Sequence, residues 1–271
     1  MLRFDRVDKR ITITKLLPFV LIWLLIPLIT QTYSVSGSNR DYLFEFGNSA
    51  QQLPLAFVPH ERFLDTPAGF SVSGLGSRLF FSQEGVAFSL AHSPVQGERL
   101  PALAESLHLQ FAGANPYPII EGIDPLAGAI TDFTGNDPTQ WQTDLPTFAG
   151  ITYFDLYPGI DLYFTGPQGR LKSTYVVAPG VDPTRIVWRY AGADDVQIDA
   201  QTGDLVVTLT LDETGDTYQL RQQAPVAWQE IHGKPAPVEV GYVVTDERVT
   251  FSLGAYNGAY GLIIDRSYAG Q

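Results

Sequence analysis

Three aspartates and two aromatic residues stand close together in the middle of the chain, and residues of these types could bind or cleave a sugar. Asp137 precedes Trp141 by four residues, and Asp155 and Asp161 flank Tyr157. Glycoside hydrolysis uses two carboxyl groups on either side of the scissile bond, about 5–10 Å apart. Aromatic rings can stack on the faces of sugar rings. One interpretation of this cluster is therefore a glycan-binding or glycosidase cleft.

A second interpretation of the same residues is turn chemistry. Asn136–Asp137–Pro138 has the composition of an Asx-type turn, in which proline fixes φ. Tyr157–Pro158–Gly159 has the composition of a tight turn in which glycine can take a positive φ. On this interpretation the rings of Trp141 and Tyr157 are buried. We favour it over the cleft, and we predict no catalytic residues.

The residues after the Tyr157–Pro158–Gly159 turn should form a strand, in which successive side chains point to opposite faces. This alternation should direct Ile160 and Leu162 into the core and leave Asp161 on the opposite face. Asp161 would then accept hydrogen bonds from loop amides. The sequence therefore predicts a structural role for the Tyr157–Leu162 block.

Other active-site patterns are not indicated. The four histidines are isolated, so their spacing does not predict a zinc site, and the chain has no cysteine. Calcium prefers carboxylate and carbonyl oxygens, so two acidic stretches could bind it weakly. Solvated hairpin tips are the favoured interpretation of both stretches. We predict no metal site and no cofactor beyond such weak calcium binding. The stretches contain Asp194, Asp195, Asp199 and Asp204, then Asp212, Glu213 and Asp216.

The elements that must position these residues are strands. Short apolar or alternating runs recur between glycine, proline, asparagine and aspartate, which is typical of an all-β chain. Examples are Ile151–Phe154, Ile160–Phe164 and Leu205–Leu211. Gln201–Thr202–Gly203–Asp204 has the composition of a hairpin loop. The predicted fold is an antiparallel β-sandwich, built either as one unit or as two packed β-subdomains.

A cluster of chain breakers gives the predicted domain boundaries. Asn115–Pro116–Tyr117–Pro118 and Asp124–Pro125 lie within it. We therefore predict an N-terminal β-subdomain and a C-terminal β-subdomain on either side of a connector. The predicted ranges are 1–36 for the export segment, 40–112, a connector at 113–129, 130–265, and a tail at 266–271.

The N-terminus predicts export. Five basic residues lie within the first 15 positions and precede the apolar run Leu16–Ile29, and Ser34–Val35–Ser36 resembles a signal-peptidase site. We predict a helical signal peptide, with an uncleaved single-pass anchor as the alternative. The expected location is the cell envelope or the exterior, and membrane contact is expected only through this segment. The absence of cysteine in an exported chain favours a bacterial source.

Charge excludes one class of partner. The chain carries a net charge of −12, which repels phosphate backbones, so we expect no nucleic-acid partner. A surface protein, an adjacent domain or a glycan stays open as the partner.

Several text blocks resemble a family of exported domains. The chain resembles the uncharacterised domain at the N-terminus of many bacterial surface proteins that carry SBBP-type β-propeller repeats. The resemblance covers roughly residues 53–265 and implies an all-β module joined to other surface modules, without assigned catalytic residues. Asp265–Arg266 stands where that family has Asp-Pro. The blocks are Gly135–Asn136–Asp137–Pro138, Trp141–Gln142–Thr143, Tyr157–Pro158–Gly159–Ile160–Asp161–Leu162 and Pro179–Gly180–Val181–Asp182–Pro183.

Together these patterns predict an exported, non-enzymatic all-β module of a bacterial cell-surface or secreted protein, with a structural or interaction role. The alternative is a glycan-binding or glycoside-hydrolysing module that uses the carboxylates near Trp141 and Tyr157.

Overall fold

The computed structural model describes residues 42–43, 54–60, 69–74, 77–90, 106–132, 142–211 and 216–269. The predicted signal helix Leu16–Ile29 lies outside these residues, as do Asp137 and Trp141. The structure is 67% strand, which confirms the all-β prediction. Within the described residues the helical elements are two short 3-10 turns, Pro167–Gly169 and Pro183–Arg185.

The strands fall into two packed sheets. The large sheet has eleven strands, and its main path runs β12-β13-β14-β19-β10-β9-β8-β7, with β1, β15 and β16 beside this path. Neighbours pair antiparallel, apart from the short β1, which runs parallel to β14. The large-sheet strands are β1 (Tyr42–Leu43), β7 (Ile119–Asp132), β8 (Gln142–Tyr157), β9 (Ile160–Thr165), β10 (Lys172–Val177), β12 (Asp195–Ile198), β13 (Leu205–Leu211), β14 (Asp216–Gln222), β15 (Val226–Ile231), β16 (Lys234–Val238) and β19 (Leu262–Ala269).

The small sheet has eight strands in the order β17-β18-β11-β6-β5-β4-β3-β2. Its strands come from both sides of the predicted connector, because β11, β17 and β18 continue the sheet beyond β6. Its strands are β2 (Val58–His60), β3 (Gly69–Gly74), β4 (Ser77–Ser82), β5 (Gly85–Leu90), β6 (Ser106–Phe111), β11 (Trp188–Ala191), β17 (Val240–Thr245) and β18 (Arg248–Leu253).

The core lies between the two sheets and follows the two-residue period of the strands. In β9, Ile160, Leu162 and Phe164 are fully buried and alternate with half-buried residues. Aromatic rings from opposite sheets meet there, as where Phe81 of β4 lies 5.0 Å from Phe164 between ring centroids. One contiguous cluster of buried apolar residues therefore joins both sheets.

Two regions carry more strand than the sequence analysis assigned to them. Most of the predicted connector at 113–129 belongs to β7, an edge strand of the large sheet. An edge strand tolerates proline at positions where the backbone nitrogen needs no hydrogen bond within the sheet, because proline has no N–H to donate. The pairing register of β7 with β8 also shifts between Pro125 and Ala129, as at a β-bulge. The predicted tail at 266–271 begins within β19, where Arg266 and Tyr268 continue the inward-facing row of Leu262 and Ile264.

Among the described residues, no helix is long and apolar enough to cross a membrane.

Candidate functional site

The turn between β8 and β9 brings together the three predicted site residues that the structure describes. An Oδ1 atom of Asp161 accepts a hydrogen bond from the backbone amide of Asp155 at 2.8 Å. Oδ1 of Asp155 in turn accepts one from the amide of Gly159 at 3.1 Å. The two carboxylates therefore bind amides of their own hairpin. Asp155 has a positive φ of 48°, a conformation that aspartate adopts more readily than most residues.

Tyr157 is buried at this turn, with 1% of its surface exposed. Its hydroxyl donates to the carbonyl oxygen of Val187 at 2.6 Å and accepts from the amide of Val187 at 3.3 Å. Burial raises the pKa of Tyr157, so the hydroxyl stays protonated at physiological pH. The ring contacts the core and is not available to stack on a sugar.

The local expectations for this turn are confirmed. Ile160 and Leu162 are fully buried, and Asp161 lies on the other face and caps a loop amide. Gly159 takes a φ of +78°, as the turn composition predicted. The two remaining residues of the predicted cluster, Asp137 and Trp141, lie outside the described part of the chain, so the ligand-binding hypothesis for the whole set stays a prediction.

A surface cavity lies where the edges of the two sheets approach each other. Its volume is about 630 Å³, a size that suits a small ligand, and β2 and β3 line one side while β7, β8 and the residues before β7 line the other. Two large apolar side chains are exposed on the second side: 77% of Tyr117 and 61% of Ile119 are accessible to solvent. The lining residues include His60, Phe70, Gln83, Tyr117, Ile119 and Leu145.

Hydrogen bonds hold the cavity rim in place. Nε2 of Gln83 donates to the carbonyl oxygen of Pro118 at 3.2 Å, which ties β4–β5 to the segment before β7. The backbone amide of Tyr117 donates to Oδ1 of Asn115 at 3.0 Å, in an Asx turn. The exposed Tyr117 ring is therefore presented by an ordered backbone.

His60 is the titratable group of the cavity lining. Burial lowers its pKa below the ordinary value of 6.5, the backbone of Phe70 opposes that shift, and the charge of Arg78 adds to it. His60 is therefore neutral at physiological pH, and both of its ring nitrogens are buried beneath the cavity surface.

Two acidic residues of the predicted hairpin tips, Asp199 and Asp204, form ion pairs with Arg221 of the same chain. Nη1 of Arg221 lies 3.0 Å from a carboxylate oxygen of Asp199 and 3.0 Å from one of Asp204. Oδ1 of Asp204 also accepts from the amide of Ala224 at 2.9 Å. In the part of the chain that the structure describes, no group of three or more metal-ligating side chains occurs.

Sequence reasoning missed the cavity because its lining comes from five separate segments. His60 was interpreted as an isolated histidine, and Tyr117 lay among the breakers of the connector. No spacing in the sequence joins these segments, since strand pairing alone brings β2 and β3 near the start of β7.

The fold and its surface define a two-sheet β-sandwich module with one cavity of ligand size described at its edge. The chain belongs to the family described as a domain of unknown function, DUF7948, whose model matches residues 57–265. The match spans both sheets and fits the resemblance to an uncharacterised domain. No curated protein and no solved structure matches the chain.

Proposed function

We propose that the chain is an exported, non-enzymatic module of a bacterial cell-surface or secreted protein, with a structural or interaction role. The observation that carries this proposal is the use of the Asp155 and Asp161 carboxylates as acceptors for amides of their own turn. A glycosidase needs its carboxyl groups free to reach a substrate. Here they stabilise a hairpin beside the buried Tyr157.

The export part of the proposal is supported by the N-terminal sequence. Basic residues precede the apolar run Leu16–Ile29, and small residues follow at positions 34 and 36. The resemblance to domains that accompany SBBP-type propeller repeats supports a place among cell-surface modules. An adjacent domain of that kind is the proposed structural neighbour.

The catalytic alternative and the structural role predict different behaviour of one double variant. We would compare the full chain with Asp155→Asn/Asp161→Asn, measuring the melting temperature and the hydrolysis of a panel of aryl glycosides. The proposal predicts a lower melting temperature and the same hydrolysis background. A hydrolysis rate that disappears in the double variant at an unchanged melting temperature would contradict it.

Export is tested separately. The full chain is expressed in a bacterial host, the cells are fractionated, and the N-terminus of the product is sequenced. We expect a product outside the cytoplasm that begins just after Ser36, Gly37 or Ser38. A full-length product confined to the cytoplasm would contradict export.

A second candidate function is glycan binding, and the cavity favours it. Tyr117 presents an exposed ring, and Gln83 adds a polar side chain to a largely apolar lining. An aromatic platform with a few polar groups matches the two-sided chemistry of a sugar ring. The candidate binding residues are then those of the cavity, with Tyr117 in the stacking role.

Calorimetry with soluble oligosaccharides tests this candidate, and the chain offers a matched control. Tyr256 is another exposed tyrosine, with 39% of its surface accessible, and it does not line the cavity. Glycan binding predicts a heat signal that Tyr117→Ala removes and Tyr256→Ala leaves. A signal that survives Tyr117→Ala would place the glycan elsewhere, and no signal from any oligosaccharide would rule out this candidate for the panel used.

A further inference from the structure

A positively charged side chain lies in the centre of the core. Arg266 of β19 is 1% exposed. Its guanidinium carbon lies 4.3 Å from the ring centroid of Trp188 on the small sheet and 5.3 Å from that of Tyr175 on the large sheet. The guanidinium is therefore held between aromatic faces, which attract a cation but do not neutralise it.

The hydrogen bonds of Arg266 satisfy only part of this group. Nε donates to Oγ of Ser173 at 2.7 Å. The contacts from Nη1 to Oε1 of Gln222, at 3.5 Å, and from Nη2 to the hydroxyl of Tyr175, at 3.4 Å, are long. A guanidinium carries five N–H donors, and every acceptor here is a neutral oxygen.

Within the described residues, no negatively charged side chain pairs with the Arg266 guanidinium. In the described ranges, each carboxylate that forms an ion pair does so with Lys172 or Arg221, and none lies within ion-pair distance of Arg266. An unpaired buried charge costs several kcal/mol in proteins. A nearby negative charge would remove much of that cost.

Further donors beside the guanidinium lack a hydrogen bond of good geometry. Nε1 of Trp188 and Nε2 of Gln222 are buried and make no hydrogen bond of good geometry within the described residues, and the same holds for the hydroxyls of Tyr190 and Tyr268. Their neighbouring polar groups are one another, Trp188 beside Tyr190 and Gln222 beside Tyr268. Trp188 and Tyr190 share one face of β11, and Gln222 lies opposite Tyr268 in the pairing of β14 with β19. The indole and the amide nitrogen can only donate. The cluster therefore has a surplus of donors as well as a positive charge.

We propose that the Arg266 cluster, formed by Arg266, Trp188, Tyr190, Gln222 and Tyr268, binds a small monovalent anion of the halide class in the core. An anion accepts several hydrogen bonds at once and supplies the missing charge. A water molecule would satisfy two donors and leave the charge uncompensated. Because the cluster is buried between the sheets, the anion binds as the sheets close and contributes to folding stability.

The first test is a salt comparison on the full chain. The melting temperature is measured in sodium chloride and in sodium gluconate at constant ionic strength, from 1 to 300 mM chloride. We expect chloride above its dissociation constant to raise the melting temperature by about 5–11 °C per hundredfold increase in concentration, with bromide acting similarly. A melting temperature that is the same in all three salts would overturn the proposal.

The second test supplies the negative charge from the chain itself. Gln222→Glu places a carboxylate at the atom that already contacts Nη1 of Arg266, so we expect it to abolish the chloride dependence. Gln219→Glu makes the same charge change three residues away on β14, on the opposite face, and should retain the dependence. Loss in both variants, or in neither, would overturn the assignment to this cluster.

Diffraction gives a readout that does not depend on a variant folding. Crystals of the full chain grown in bromide should show an anomalous peak within about 4 Å of the Arg266 guanidinium. Ordinary water density there, without an anomalous peak, would show that water satisfies these donors and would overturn the proposal.

Discussion

The hydroxyl of Tyr157 and the backbone of Val187 form a two-way contact across the sandwich. The hydroxyl donates to the Val187 carbonyl oxygen and accepts from its amide, at 2.6 and 3.3 Å. Tyr157 ends β8 of the large sheet, and Val187 immediately precedes β11 of the small sheet. One side chain thereby satisfies both polar groups of a backbone unit at the sheet interface.

Removing that hydroxyl should destabilise the fold while leaving the ring in place. Tyr157→Phe leaves the amide of Val187 without its partner, whereas the Val187 carbonyl still accepts from the amide of Ala112 at 2.8 Å. We therefore expect the free energy of unfolding to fall by about 1–3 kcal/mol. Urea unfolding measures the change. Tyr117→Phe removes the hydroxyl of an exposed ring and should change the free energy by less than about 0.5 kcal/mol. Equal effects in the two variants would contradict the role assigned to Tyr157.

Asp161 should contribute stability through the amide of Asp155. Asp161→Ala removes the acceptor and should lower the free energy of unfolding by about 1 kcal/mol, while Asp161→Asn retains one carbonyl oxygen and should lower it less. Asp195→Asn, on the exposed part of edge strand β12, is the control for a change of surface charge. If Asp161→Ala melts at the wild-type temperature, the capping role is wrong.

Alanine substitutions at Gly159 and Gly180 should distinguish the cost of backbone strain from the cost of a side-chain collision. Gly159 and Gly180 have nearly the same φ, +78° and +77°. A Cβ at 159 would lie 2.7 Å from Cγ2 of Val181, whereas a Cβ at 180 would meet nothing within 4 Å. Gly180→Ala should therefore cost about 1 kcal/mol of backbone strain, and Gly159→Ala about 1–3 kcal/mol more from overpacking. The difference between their unfolding free energies measures the collision, and a value near zero would contradict this geometry.

The lowered pKa of His60 should make folding stability depend on pH between about pH 7 and 5. Burial lowers the pKa of His60, so the unfolded chain binds a proton more readily than the folded one. Stability should then fall as the pH drops below 6.5, the ordinary histidine value. Burial also lowers the pKa of His108, which adds a second contribution in the same range.

Melting curves from pH 7.5 to 5 check this sign. His60→Gln should flatten part of the decline, and His60→Gln/His108→Gln should flatten more of it. A decline of wild-type steepness in the double variant would assign the dependence to other groups.

The strand pattern was readable from the sequence because each face of a strand carries its own residue type. Leu205–Leu211 was predicted with the limits that β13 has, and Ile160–Phe164 ends one residue before β9 does. Strand β7 was interpreted as a connector because Asp124–Pro125, like Asn115–Pro116–Tyr117–Pro118 before it, breaks a strand in most contexts. At a sheet edge with a bulge Asp124–Pro125 does not break the strand, and edge position depends on the pairing of the whole sheet.

The local role of Asp161 was predictable, whereas the Arg266 cluster was not recognised. Asp161 follows a Pro-Gly turn, and alternation alone decides which way its side chain points. Alternation also continues from Leu262 and Ile264 to Arg266, but a charged residue after an apolar run usually marks the end of a buried strand. The aromatic partners of Arg266 come from other strands, which no local pattern connects to it.

The small sheet is discontinuous along the chain, and this has a consequence during synthesis. β6 pairs with β11, and the four strands between them belong to the large sheet. Until the ribosome has released Trp188–Ala191, the meander β2–β6 has an unpaired edge at Ser106–Phe111. Such an edge is a template for pairing with another nascent chain. Fragments that end before β11 should therefore aggregate, and the complete chain should fold slowly after release because its closing contacts are distant in sequence.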